Sequence, residues 1–239
     1  FECIKTNVLG AMNIIDSALD LGVSKVVALS TDKACLPVNL YGATKLTSDK
    51  LFIAANHSYA GGVQTKFAVV RYGNVMGSRG SVIPLFCDLA RVGKDLPITD
   101  PQMTRFMITL NQGVDLVWDA INDMSGGEIY VKKIPSMRIM DIAEAIAPKA
   151  NRVIVGKRPG EKIHEVMISA EDSDFTFEYE GFYKILSPLN KWNSDPERIK
   201  EGHKVREGFV YSSDQNDQWM TSDELIGWVG SNISERGEL

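Results

Sequence analysis

Apolar residues recur along the first twenty positions at helical spacing. Val8, Met12, Ile15 and Leu19 share one face, and Gly22 supplies a C-terminal stop. The period then changes. "KVVAL" (25–29) and "KFAVVR" (66–71) are short β-branched apolar runs, the pattern of strands buried on both faces. Helix (about 3–20), strand (25–30), helix (about 40–57) and strand (66–71) alternate, which predicts a parallel α/β sheet. Further along, "VIPLFCDLARVG" reads as a helix ended at Gly93, and "PITDPQMTRFMIT" as irregular chain with short strands. "NQGVDLVWDAINDM" (111–124) is periodic and helical, and "EIYVKK" is a strand after a Gly-Gly turn. "SMRIMDIAEAIAP" is a short helix stopped at Pro148, and "VIVGKRPGEKIHEVMI" reads as a strand, a turn and a helix. After about Glu171 the pattern weakens, and no internal repeat or low-complexity linker interrupts the chain. The expected fold class is α/β, a doubly wound parallel sheet with a smaller mixed C-terminal region. Residues 1–75 form the sheet domain, 111–131 return to it, and the rest of 76–239 forms the second region.

With 239 residues, 44% of them hydrophobic, the chain can bury a sizeable core in one or two domains. A net charge of -5 and a pI near 5.3 argue against a nucleic-acid surface. No run approaches the apolar length of a membrane span, and no signal peptide is apparent, so a cytoplasmic protein with no membrane partner is expected. Cys3, Cys35 and Cys87 lack metal-site or disulfide spacing. The chain opens at Phe1 inside a helical pattern, and "YGNVMGSRGS" has the wrong spacing for a dinucleotide-binding glycine loop. The expectation is therefore of a chain whose glycine-rich first half lies upstream.

Candidate chemistry gathers in "STDKACLPVNLYGATK", Ser30 to Lys45, between the first strand and the next helix. Ligands of open α/β sheets bind outside the carboxyl ends of strands. Asp32 and Lys33 sit at such an end, while Tyr41 and Lys45, four apart, share a helix face. A lysine ammonium beside a phenol stabilises phenolate and lowers its pKa, so the tyrosine can accept a hydroxyl proton while hydride leaves the same carbon. An adjacent acid and base can remove a proton next to the resulting ketone and expel a neighbouring hydroxyl as water. Plainer readings stand beside these. Tyr41 would serve equally as a core tyrosine, Lys45 as a solvated helix position, and Asp32–Lys33 as a turn ion pair.

Together "ALSTDKACLPVNLYGATKLTSDKLF", "VVRYGNVMGSRGSVIPLF", "ITDPQMTRFMITL", "IPSMRIMDIAEAIAP" and "GKRPGEKIHEVMI" resemble the extended short-chain dehydrogenase/reductases, with a Rossmann-like fold. Within them the chain is most similar to the inverting UDP-N-acetylglucosamine 4,6-dehydratases that open pseudaminic acid synthesis. Tyr41 favours that branch, since membrane-linked and retaining relatives tend to carry methionine there. The resemblance implies Tyr41 and Lys45 as the catalytic pair, Asp32 as the acid at C6 and Lys33 as the base at C5. It implies NADP, or else NAD, held with help from Asn7, Ser30, Tyr41, Lys45 and Val75. It places UDP-N-acetylglucosamine against Thr31, Asn74, Arg79, Gly80, Ser81, Val82, Thr104, Arg105, Arg158 and Glu161. No metal is implied, and a homo-oligomer is expected. A retaining dehydratase, a 4-epimerase and a non-catalytic NADP-binding regulator are the alternatives; the last two need no elimination pair.

Overall fold

The computed structural model describes residues 1–58, 65–187 and 196–233. The chain forms two compact units, each assembled from three segments. The first unit takes Phe1–Tyr72, Asn111–Lys133 and Val166–Tyr211; the second takes Gly73–Leu110, Ile134–Glu165 and Ser212–Leu239. Residues 166–211, read from the sequence as part of the smaller region, thus belong with the sheet.

In the first unit, α1 (Glu2–Ile4), a π-helical turn (Lys5–Leu9) and α2 (Gly10–Asp20) run on without a break. The wider π turn rotates the buried face away from the one a regular helix would show. Ala11, Ile15 and Ala18 are buried, whereas Met12 is exposed. Next come β1 (Lys25–Leu29), α3 (Leu40–Ser58), β2 (Lys66–Arg71), α5 (Leu110–Asp123) and β6 (Ile129–Lys132). Strands β1, β2 and β6 pair in parallel. Phe67 to Val70 of β2 are fully buried, which explains a continuous apolar run in place of alternation.

The sheet then changes sense. Strands β10 (Thr176–Glu178), β11 (Phe182–Ile185) and β12 (His203–Lys204) extend it antiparallel, in the order β1-β2-β6-β11-β10-β12. Short helix α7 (Pro196–Ile199) precedes β12. The segment after "RPGE", expected to be helical, contains strand β9 (Val166–Ile168). Ala68, Val70, Leu116, Ala120, Met124 and Tyr130 form a core on one face of the sheet.

The second unit has a three-stranded sheet of β3 (Asn74–Val75), β5 (Thr104–Ile108) and β7 (Ser136–Arg138). A second pair joins β4 (Leu96–Ile98) to β8 (Arg152–Ile154) in parallel. Helices α4 (Val82–Arg91), α6 (Ile139–Ile146) and α8 (Ser222–Asn232) pack on a core that includes Ile83, Phe86, Leu96, Ile98, Ile142 and Leu225. Thr221 and Glu224 start α8 with a reciprocal capping box. Among the described residues no helix is long and apolar enough to cross a membrane.

Candidate active site

At the carboxyl end of β1 the chain continues along β2. Ser30 N–H donates to Val70 O at 2.8 Å and Asp32 N–H to Tyr72 O at 3.2 Å. Asp32–Ala34 then form one 3₁₀ turn capped by the Thr31 hydroxyl. Asp32 is fully buried. Its Oδ1 accepts from Thr31 Oγ1 at 2.8 Å and from Lys33 Nζ at 2.9 Å. A buried carboxylate is tolerated only with such partners. Thr31, expected to hold the sugar, thus also orients the acid.

Tyr41 reaches this cluster because α3 starts beside the turn. Asn39 Oδ1 accepts from Gly42 N–H at 2.8 Å, satisfying one of the free donors of the helix start. Gly42 permits the approach: a Cβ there would lie 2.3 Å from Lys33 O and 3.0 Å from Pro37 Cβ. Tyr41 is about half exposed, at 46%. Burial holds its phenol above the ordinary value; Lys33 opposes that, and Asp32 and Cys3 add to it. From the spacing of four, Lys45 is the cation expected to lower this pKa. Instead Lys45 Nζ donates to Leu29 O at 2.7 Å, and the cation that acts on the phenol is Lys33. The spacing of four puts Tyr41 and Lys45 on one face, but the free carbonyl at the end of β1 competes for the ammonium.

Asn7 lies in the π turn, and its Nδ2 donates to Thr44 Oγ1 at 3.0 Å. Thr44 Oγ1 donates in turn to Tyr41 O at 2.9 Å, so Asn7 ties the first helical run to the residue preceding Lys45. Ser30 is buried, and its hydroxyl donates to Asp49 Oδ2 at 2.7 Å.

The remaining expected site residues belong to the second unit. Asn74 and Val75 make up β3, paired with Met107 and Ile108 of β5. Arg79 is exposed, Gly80 has φ +74°, and Ser81 is the N-cap of α4, of which Val82 is the first residue. Backbone N–H groups at such a helix start favour an anion. Arg158 is exposed, its N–H donates to Glu161 Oε2 at 3.1 Å, and the guanidinium lies 4.0 Å from the same carboxylate. Arg105 donates to the carbonyls of Thr104, Lys162 and Ile163 at 2.7–3.2 Å. Those bonds pin the chain that follows "RPGE". Thr104 Oγ1 bonds His164 Nδ1 at 2.9 Å and Ser213 Oγ at 2.6 Å. Both residues are therefore occupied in holding the loop.

Sequence reasoning missed Gly42 and Asp49. The signal for Asp49 was present, since it continues the Tyr41–Lys45 stripe by four more residues. Among the described residues no cluster could hold a metal ion.

A parallel sheet with a Tyr-x-x-x-Lys helix at its strand ends is the arrangement that the resemblance to the extended short-chain dehydrogenase/reductases implies, and comparison with known proteins agrees with that class. The chain belongs to the polysaccharide biosynthesis protein family, whose sequence profile matches residues 1–187. It is 53% identical over 231 residues to the UDP-N-acetylglucosamine 4,6-dehydratase (inverting) of Campylobacter jejuni strain 81-176, covering 94% of this chain and 69% of that protein. The X-ray structure of Pen from Bacillus thuringiensis superposes with a TM-score of 0.86 at 35% identity, over 98% of this chain and 70% of Pen. The dTDP-glucose 4,6-dehydratase DesIV of Streptomyces venezuelae, solved with NAD, shares the fold at a TM-score of 0.60 and 22% identity, over 66% of this chain and 56% of DesIV.

Proposed function

We propose that this chain dehydrates a nucleotide sugar, converting UDP-N-acetylglucosamine to a UDP-4-keto-6-deoxy-N-acetylhexosamine with inversion at C5. The observation that carries the reading is the Thr31–Asp32–Lys33 cluster beside Tyr41, built on the buried Asp32 carboxyl. The 53% identity to a protein of that name supports it. Epimerisation at C4 needs only hydride transfer and a proton moved on and off O4, and would leave the Asp32–Lys33 pair without a task.

A nicotinamide cofactor, NADP by family likeness with NAD as the alternative, supplies a hydride acceptor at C4 and a donor at C6 when bound. The residues suit one: Tyr41 and Lys45 offer a hydroxyl and an ammonium, and Leu29, Leu36, Val38 and Leu40 leave apolar surface exposed around them. Tyr41 accepts the proton of the C4 hydroxyl, and the Lys33 charge favours the phenolate this needs. The ketone at C4 acidifies the C5 hydrogen. Lys33, as amine, removes that proton, and Asp32, as acid, gives its proton to the C6 hydroxyl, which leaves as water. The pair finishes as ammonium and carboxylate, joined across the 2.9 Å contact between Lys33 Nζ and Asp32 Oδ1. Moving one proton along that bond restores the amine and the acid, while a solvent proton enters C5 on the opposite face as C6 takes hydride and the Tyr41 phenol releases its proton to solvent. In the second unit Arg158 is assigned to the diphosphate and Glu161 to the uridine ribose, an Arg fork suiting phosphate oxygens. Arg79–Val82 and Asn74 are assigned to the sugar nucleotide. The proposed compartment is the cytoplasm.

The test is Lys33→Ala in heavy water. Product formation and deuterium entry at C5 are both expected to disappear, because a methyl group accepts no proton. Undiminished exchange at C5 would overturn the assignment.

A further inference from the structure

Beneath the proton-transfer residues lies a buried Asp49–Arg71 pair that the proposed reaction does not use, joined to Ser30, which the resemblance places near the cofactor. Asp49 and Arg71 are 1% and 3% exposed. Asp49 Oδ2 accepts from Ser30 Oγ at 2.7 Å and from Arg71 Nη2 at 3.4 Å. Arg71 Nη1 donates to Met167 O at 2.7 Å and lies 3.9 Å from Asp172 Oδ2. Burial pushes the Asp49 carboxyl up, while Arg71, Ser30 and the nearby Lys45 charge pull it down. One carboxylate on α3 thereby grips the ends of β1 and β2 at once. Without its partners this charge would be too costly to bury, so its position is fixed by them.

Two side chains of α3 hold the end of β1. Lys45 grips Leu29 O, and Asp49 grips Ser30 Oγ. The first grip belongs to a residue of the reaction itself and has to yield when Lys45 turns to a ligand. The second is buried, is shared with Arg71, and takes no part in the proposed proton transfers. Ser30 is also two residues from Asp32, and Asp49 two helical turns from Tyr41. We propose that Asp49 is a positioning residue, which sets α3 against the β1 end so that Tyr41 and Lys45 reach the Asp32–Lys33 pair. This rests on the reading of those four residues as the proton-transfer set. Asp49 itself touches no reacting atom.

The test uses the whole protein with Asp49→Asn and Ser30→Ala, the second removing the same bond without uncovering the Arg71 charge. Two readouts are taken on folded, soluble protein. The first is the ¹³Cζ signal of Tyr41 without ligand, assigned by its loss in Tyr41→Phe. The second is turnover of UDP-N-acetylglucosamine with nicotinamide cofactor. Both variants are expected to shift the Tyr41 signal. They are expected to lower kcat by about 10- to 100-fold, the scale of a sub-ångström to 1 Å misplacement, with KM within about twofold. A merely structural role would lower the melting temperature and leave the Tyr41 signal and kcat unchanged, which would overturn the proposal. Absence of turnover by the unmodified protein would instead defeat the dehydratase reading, and the Tyr41 signal would still decide the role of Asp49.

Discussion

At the scale of single residues, the electrostatics around Tyr41 make a signed prediction. Its phenol is held up by burial, lowered by Lys33 and raised again by Asp32. Lys33→Ala should therefore move the phenol titration further up, and Asp32→Asn should move it down. A ¹³Cζ titration of Tyr41 reads both, and equal shifts of one sign would contradict the arrangement. Gly42→Ala is the steric counterpart. Its methyl would stand 2.3 Å from Lys33 O, and the obstacle is backbone. Overpacking of this kind costs about 1–3 kcal/mol. Thermal unfolding should show that loss, and C5 exchange should fall further than a stability loss explains, because the turn that moves carries Lys33. Tyr41, Lys45, Asp32 and Lys33 were legible in the sequence because their spacing is local. Gly42 was not, since its need comes from the backbone of a turn nine residues earlier. Nor could the spacing say that Leu29 O would capture Lys45.

Between elements, one link in the first unit centres on Asp123, the last residue of α5. It accepts from Lys184 of β11, Lys200 after α7 and Tyr130 of β6. Lys184 is 1% exposed and lies 4.8 Å from the Tyr179 ring centroid, a cation held between a carboxylate and aromatic faces. Burial alone would raise the Asp123 pKa, but these hydrogen bonds outweigh it and bring the value down to about 2. An unfolded aspartate titrates near pH ~3.9, so the stabilisation is whole above about pH 4 and is lost as pH falls towards 2. It amounts to about 2 kcal/mol. Asp123→Asn should cost about 2–4 kcal/mol at pH 7, because it leaves the Lys184 charge uncompensated. The gap from the unmodified protein should shrink steadily below about pH 4 in denaturant titrations, and a gap constant to pH 2 would contradict the link. This part of the fold was the least legible. β10, β11 and β12 are two to four residues long, too short for alternation to register. By contrast, α3, α4, α5, β1 and β2 carry long periods or unbroken apolar runs and stand where those patterns put them.

For the whole molecule, the connectivity matters more than any contact. Each unit takes three separated stretches of chain, so the backbone passes from one to the other at 72/73, 110/111, 133/134, 165/166 and 211/212. A break at 133/134 removes β10–β12 from the first sheet and α6 and α8 from the second core. Neither 1–133 nor 134–239 should then fold as a separate piece. Near-ultraviolet circular dichroism of the two fragments should lack fixed aromatic signals, and a native-like spectrum from either would contradict the division.

The same interleaving sets a schedule during synthesis. Ile83, Phe86, Leu96 and Ile98 leave the ribosome well before Ile142, and longer still before Leu225 and Ile233, which close their core. At roughly 5–20 residues per second, that apolar surface waits uncovered for on the order of ten seconds. During this time it is a natural client for a holdase chaperone. Codon choices that slow decoding between Leu110 and Ser222 should lengthen the wait and lower the soluble yield without altering a single amino acid.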